Sequence, residues 1–480
     1  MNQIRYELPR VFSDEQMEVI VEEGIAVLDE IGIECRHDGI ASMVSRYPGA
    51  KVKNNRFLFS RKFCREYLDE AKKIARRRPL EPQLQPGPIK LNAVGPWTGI
   101  NVVDLDTGKV RPGTRQDMID GTRLIEALGI EGRKLCAPVA PHDVPAHLQC
   151  LIMCKDCWKY SALTGGGIAS TVAEVQYIFE MGAIAGVEPP YTMVEFGISP
   201  LTFNAGALDL VYRLLGRPEL KALCVGAGPI ATLGGTSPCV LKSAMAQAFA
   251  ESLGGSILVH ILFKGEYDPG CGGATLIATD MRYGAVNFSS PESIMLLQLG
   301  AELGSHLSGI PSTGGAMRTI GKLPDAQAAA EKMMCALVGA LCGARSFCDL
   351  GQLSIDDTFS LEQVVIDMEI LESVERFVNG FAFEKDADTL GIIRESIGER
   401  NFFTHPTTLE NFRNYYWYPK LFERRMIGPW QADGSPTIRE KARRIAREKI
   451  AAQPMRVDEE ISKRLDTLFE KAAKELASSS

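Results

Sequence analysis

The chain lacks any hydrophobic run long enough to cross a bilayer, because its longest apolar stretch, SILVHILF at 256–263, is far shorter than a span requires. The opening MNQIRYELPRVFSDEQ puts charges where a signal peptide needs an apolar core. Both absences predict a cytoplasmic protein. No block of one charge sign interrupts the 480 residues, whose net charge is −7. That balance argues against nucleic acid and an anionic membrane as principal partners and leaves a small molecule or another protein. An export signal being absent, the 12 cysteines, scattered through apolar segments, are expected to be reduced, buried thiols rather than disulfides. The 6 histidines do not cluster, and Cys136 and Cys348 fall inside predicted strands rather than in an H-x-C or Cys-Cys pair, so no metal site is expected.

What is present is an ordinary globular composition, 45% apolar and 24% charged, long enough for one barrel-sized domain with additions or for two domains. Apolar spacing predicts helices over 13–31 and 61–77, and the proline-rich RRRPLEPQLQPGP that follows reads as a linker. Residues 1–88 are therefore expected to form a mostly helical N-terminal extension.

From 89 to 380 short apolar or glycine-punctuated runs alternate with amphipathic stretches. Strands are predicted at 90–96, 134–140, 160–165, 191–197, 221–227, 273–278, 310–314 and 345–350. Helices are predicted at 115–128, 145–158, 171–185, 205–215, 238–263, 291–307, 324–342 and 360–378. Strands alternating with helices predict a parallel sheet, and eight such units fit a closed (β/α)8 TIM barrel of the α/β class better than an open sheet. The turn Asp106-Thr107-Gly108 between two extended runs predicts a hairpin inserted near 100–112. Residues 381–480 lie outside the repeat and should pack on the barrel as a helical tail, the basic run at 438–449 forming a solvated face.

One motif invites a different chemistry. In CLIMCKDCW, Cys150, Cys154 and Cys157 have the C-x3-C-x2-C spacing that holds an iron–sulfur cluster in radical S-adenosylmethionine enzymes. The pattern places them at i, i+4 and i+7 on one face of a predicted helix, where a cluster site needs a loop. Thiols packed on the buried face of an outer helix are the simpler reading. A radical enzyme and a non-catalytic barrel acting as a binding partner remain the alternatives.

Several segments together resemble the trimethylamine methyltransferase superfamily of corrinoid-dependent enzymes. They are VVDLDTGKVRPGTRQDMIDGTRLIEALG (102–129), GISPLTFNAGALDLVYRLL (197–215), GGTSPCVLKSAMAQAFAESLGG (234–255), ATDMRYGAVNFSSPESIMLLQLGAELGSHLSGIPSTGG (278–315), KLPDAQAAAEKMMCALVGALCGA (322–344) and FFTHPTTLENFR (402–413). The resemblance implies a barrel that demethylates an amine and delivers the methyl group to the Co(I) corrinoid of a separate carrier protein. The corrinoid is then supplied by the partner and not held tightly, consistent with the lack of a D-x-H-x-x-G motif. Members specific for trimethylamine carry pyrrolysine; this chain is written in standard residues throughout. It is thus similar to the branch lacking pyrrolysine, which acts on quaternary amines such as glycine betaine, proline betaine or carnitine. Oligomeric state is left open, a homo-oligomer included.

A quaternary ammonium already carries its charge on nitrogen, so displacement expels a neutral tertiary amine and needs no general acid. Such a cation donates no hydrogen bond and is best held by aromatic faces and a carboxylate. At the C-terminal strand ends of a barrel, Trp97, Phe196, Tyr283 and Phe347 are the aromatic candidates and Asp349 the carboxylate. His142 and Arg318 are candidates for the carboxylate of a betaine. Gly165 to Gly167 and Gly314-Gly315 end strands and would admit substrate or corrinoid closely, phosphate binding being their rival use.

Overall fold

The computed structural model describes residues 2–4, 8–77, 87–132, 135–266 and 270–477. The eight helices expected after the strands are present as Arg115–Ala127, Gln149–Trp158, Val172–Ala185, Ala205–Leu214, Leu241–Leu262, Pro291–Ser308, Ala326–Leu341 and Leu361–Asn379. Polar residues at their starts explain the boundaries. Thr114 with Asp117, and Thr171 with Glu174, form reciprocal capping boxes, while Asn204, Ser290, Asp325 and Ser360 accept from backbone N–H groups of the first turn.

The strands between these helices pair in parallel and in chain order. Thr192–Glu195 pairs with Leu223–Gly226, Ala231–Leu233 with Leu276–Asp280, and Gly314–Ala316 with Ser346–Cys348, which also pairs with Asn92–Ala93. Two predicted strands do not form. Segment 134–140, whose first residue lies outside the described ones, contributes only a bridge from Val139 to Gly99, because Pro138 lacks a donor. Segment 160–165 ends at Gly165 and Gly166, whose φ values of +140° and +105° break an extended run. Pro311 likewise delays the seventh strand to Gly314–Ala316. Among the described residues no ladder joins Leu276–Asp280 to Gly314–Ala316. The architecture is mixed α/β, with helices packed about several small sheets.

The N-terminal stretch carries the helices Asp14–Ala26, Asp38–Ser45 and Arg61–Arg77 but also an antiparallel hairpin, Ala50–Lys53 with Arg56–Phe59. Asn54 and Asn55, both at positive φ, make the turn of this hairpin, which interrupts an otherwise mostly helical stretch. Gly24 lets the first helix approach Leu241–Leu262 closely: a Cβ there would lie 2.5 Å from the Phe249 ring. Leu241–Leu262 is long and apolar enough to cross a membrane by length and composition. Its Phe249, Leu253, Ile257 and Leu258 are instead buried inside the protein.

The hairpin Asn101–Val103 with Val110–Pro112 is joined in parallel by Thr358–Phe359, which pairs in turn with Gln352–Leu353. The tail packs on the outside through Ile438–Ala452 and Glu459–Ala477. Its basic run is not simply a solvated face: Arg439 and Arg443 reach the buried Glu362 carboxylate at 2.8 and 2.6 Å. Lys155 on Gln149–Trp158 donates to Asp466 on the last helix at 2.7 Å. With this cover every residue from Cys150 to Trp158 is buried, the outward face of the helix included.

Candidate functional site

Parallel strands deliver the residues that follow them to one end of a sheet. Trp97 follows Asn92–Ala93, Glu195 ends Thr192–Glu195, Arg318 follows Gly314–Ala316, and Asp349 follows Ser346–Cys348. These four line a cavity of about 190 Å³ together with Phe288, Gln352 and Asp356, while Gly228, Ile230 and Ile355 complete the wall. A wider depression of about 640 Å³ lies beside Lys90, Arg376 and Trp417 and shares no lining residue with this cavity.

Arg318 organises one side. Its Nε donates to Asp349 Oδ2 at 2.6 Å, and its guanidinium carbon stands 4.2 Å from the centre of the Phe288 ring. Burial works against the guanidinium charge, but Asp349 together with the neighbouring Cys348 and Asp356 more than offsets it and raises the Arg318 pKa. Asp349 is itself buried and has a φ of +71°, a conformation that side chains other than glycine seldom adopt.

Gln352 fixes the aromatic wall by clamping the Trp97 backbone from both sides. Its Nε2 donates to the Trp97 carbonyl at 3.0 Å and its Oε1 accepts from the Trp97 N–H at 3.2 Å. Across the cavity, Gly228 (φ +56°) makes room for Glu195, since a Cβ there would lie 2.7 Å from the Glu195 carboxyl group. Burial pushes the Asp356 pKa up, and the charge of Arg318 opposes the rise. Besides Asp349, which engages Arg318, the lining holds two further carboxyl groups, Glu195 and Asp356, and the Trp97 indole.

Three of the residues expected from sequence meet here: Trp97, Arg318 and Asp349. The other four do not line the cavity. Phe196 is fully buried against Phe203, with ring centres 5.2 Å apart, because alternation along its strand turns it away when Glu195 faces in. Phe347 is likewise core, packed behind Gly315 and Gly339. Tyr283 is 78% exposed at a hairpin turn, with Arg282 over its ring. His142 is exposed in a loop, where its N–H donates to the Gly113 carbonyl. Glu195 was missed although a carboxylate in the apolar run YTMVEFG is itself a signal. Phe288 and Asp356 lie in loops and Gln352 in a two-residue strand, all too short for periodicity, and no spacing pointed to them.

The three cysteines of CLIMCKDCW lie on the packed helix Gln149–Trp158 and not on a loop. Burial pushes the Cys157 thiol up to about 12, and Thr122 Oγ1 donates to its sulfur at 3.2 Å. Burial raises Cys154 as well.

Residues 2–477 match the family model described as trimethylamine methyltransferase (MTTB). The chain is 26% identical to a glycine betaine methyltransferase of Desulfitobacterium hafniense over 97% of its own length and 98% of that protein. It is 29% identical to the trimethylamine methyltransferase MttB2 of Methanosarcina mazei, covering 59% of this chain and 56% of the other. Among solved structures, the monomethylamine methyltransferase MtmB of Methanosarcina barkeri aligns over 94% of this chain and 90% of its own, at 12% identity and a TM-score of 0.46.

Proposed function

The chain belongs to the trimethylamine methyltransferase family, and from that premise we propose that it demethylates a quaternary amine of betaine type and hands the methyl group to the corrinoid of a separate carrier protein. It is an enzyme of methyl transfer. The observation that carries the choice of substrate is the cavity, whose lining combines an indole and the carboxyl groups of Glu195 and Asp356 with a guanidinium. A betaine is a zwitterion with the matching halves. The cationic nitrogen takes the Trp97 face and the carboxyl groups, and the betaine carboxylate turns toward Arg318. The full-length likeness to a glycine betaine methyltransferase supports the same reading.

The methyl acceptor is the reduced cobalt of the carrier's corrinoid, a co-substrate brought to the cavity mouth. The C–N bond breaks with its electron pair going to nitrogen, and a neutral tertiary amine leaves. No proton has to be supplied. This chain's residues hold the N-methyl group in one orientation and keep water out of the reacting pair. We read the parallel strands as the staves of a (β/α)8 barrel over 89–380, with 1–88 and 381–480 packed around it. The pairing of Ser346–Cys348 with Asn92–Ala93, last strand to first, supports closure.

Calorimetric titration with glycine betaine and with its tert-butyl isostere 3,3-dimethylbutanoate, which keeps the carboxylate but has neutral carbon in place of the ammonium, tests the cation site. Binding of the betaine with at least tenfold preference is expected. Equal affinity for the isostere would mean that the cavity selects shape and not charge.

A further inference from the structure

A second cavity of about 260 Å³ adjoins the first and shares Ile230, Phe288 and Arg318 with it. It occupies the gap between Leu276–Asp280 and Gly314–Ala316, the neighbours in chain order that no ladder joins among the described residues. Helix Pro291–Ser308 closes it from outside with Ile294, Leu297 and Ala301. Apart from the shared Arg318, its uncharged polar lining side chains are Thr275 and Gln298. Burial pushes the Cys335 thiol in its wall up to about 11, so that group adds no charge. The only charged lining residue, Arg318, has its guanidinium engaged by Asp349 in the polar chamber, and the Phe288 ring beneath it forms the partition.

Volume and chemistry point the same way. The polar chamber alone is smaller than the ~300–1,000 Å³ of most small-molecule sites, and the two chambers together fall within that range. We propose that the second chamber takes a hydrocarbon arm of the substrate, so that the preferred substrates are betaines whose carbon skeleton carries an apolar substituent of several carbons, such as N-trimethylated α-amino acids with aliphatic side chains. This rests on the betaine reading of the first chamber. The cationic nitrogen stays beside Trp97, the carboxylate faces Arg318, and the arm passes Phe288 into the gap between the strands.

Gly314 supplies the means of testing it. It lines the chamber, its φ is not in the left-handed region, and a Cβ placed there meets nothing within 4 Å, so a side chain can be added without displacing the wall. Valine also suits a strand. Calorimetry should compare glycine betaine with trimethylated alanine, 2-aminobutyrate, norvaline and norleucine on the wild type, Gly314→Val and Ala301→Leu, each checked for folding by circular dichroism. In the wild type, affinity should rise about threefold to fourfold per added methylene, the equivalent of about 0.8 kcal/mol. Gly314→Val should flatten the rise beyond the first carbons and leave glycine betaine binding unchanged. Ala301→Leu fills the chamber from the opposite wall and should do the same if the glycine variant misfolds. A flat or falling series in the wild type, with glycine betaine still binding, would overturn the arm chamber and leave the betaine site standing. A rise that persists in both filled variants would overturn its location. Failure of every member, glycine betaine included, would remove the betaine site and this inference with it.

Discussion

Lys332 Nζ lies 2.6 Å from Asp367 Oδ2, and neither side chain has any exposure to solvent. The same ammonium donates to the Asp349 carbonyl at 3.1 Å, and the same carboxylate oxygen accepts from the Gly351 N–H at 2.7 Å. Two helices, Ala326–Leu341 and Leu361–Asn379, thus grip the turn that presents Asp349 and Gln352 to the cavity. Removing one partner leaves a buried charge uncompensated, so Lys332→Met should lower stability by about 3–5 kcal/mol in chemical denaturation. The double variant Lys332→Met with Asp367→Leu should recover most of that loss while KM for the amine stays raised, because the turn has lost its anchors. Recovery of both together would mean that the pair serves only the core.

Trp97 distinguishes an aromatic wall from an apolar one. Trp97→Phe keeps a ring face and should retain most of the affinity for a quaternary amine. Trp97→Leu keeps apolar bulk but lacks the quadrupole, and should bind about tenfold more weakly than the phenylalanine variant, or about 1–2 kcal/mol. Calorimetry on the two proteins decides it, and equal affinities would remove the cation from this wall.

Asp356 gives binding a pH dependence. Burial raises its pKa against the opposing charge of Arg318, and only the carboxylate form attracts a cation. Affinity should be full at neutral pH and fall on acidification, beginning at a higher pH than an ordinary aspartate near 3.9 would impose. The effect on folding has the opposite sign: a raised pKa in the folded state contributes stability at low pH that is lost as pH rises through it. Asp356→Asn should flatten the binding profile, and an unaltered profile would mean that this carboxyl group does not meet the cation.

Cys150, Cys154 and Cys157 are buried thiols of one helix. Replacing all three with alanine should leave methyl transfer largely intact at a total stability cost of about 1–3 kcal/mol. A folded triple variant without turnover would reopen a role for sulfur in the chemistry.

The helices were legible in the sequence because six of the eight couple apolar residues to a polar cap, as Thr171 with Glu174 does before Val172–Ala185. Strand positions were harder, since runs of three to five residues hold too few side chains for periodicity, and Pro138 and Gly165-Gly166 interrupt pairing that a composition count accepts. At the site, position after a strand found Trp97, Arg318 and Asp349. It failed for Phe196 and Phe347, where the pleat decides which neighbour faces the cavity: Glu195 faces in and Phe196 out. Gln352 and Asp356 owe their places to a turn held by Lys332 and Asp367, residues distant in sequence from each other and from Trp97.

The central claim is that the methyl group of a quaternary amine leaves this protein on a corrinoid carrier. The direct measurement incubates the protein anaerobically with reduced carrier and a betaine labelled with 13C in its N-methyl groups, and follows the label into the carrier by mass spectrometry. The account predicts labelled carrier and one equivalent of the neutral dimethylated amine, with no transfer from trimethylamine under the same conditions. Label confined to the betaine across aliphatic and simple betaines alike, or transfer from trimethylamine alone, would contradict it.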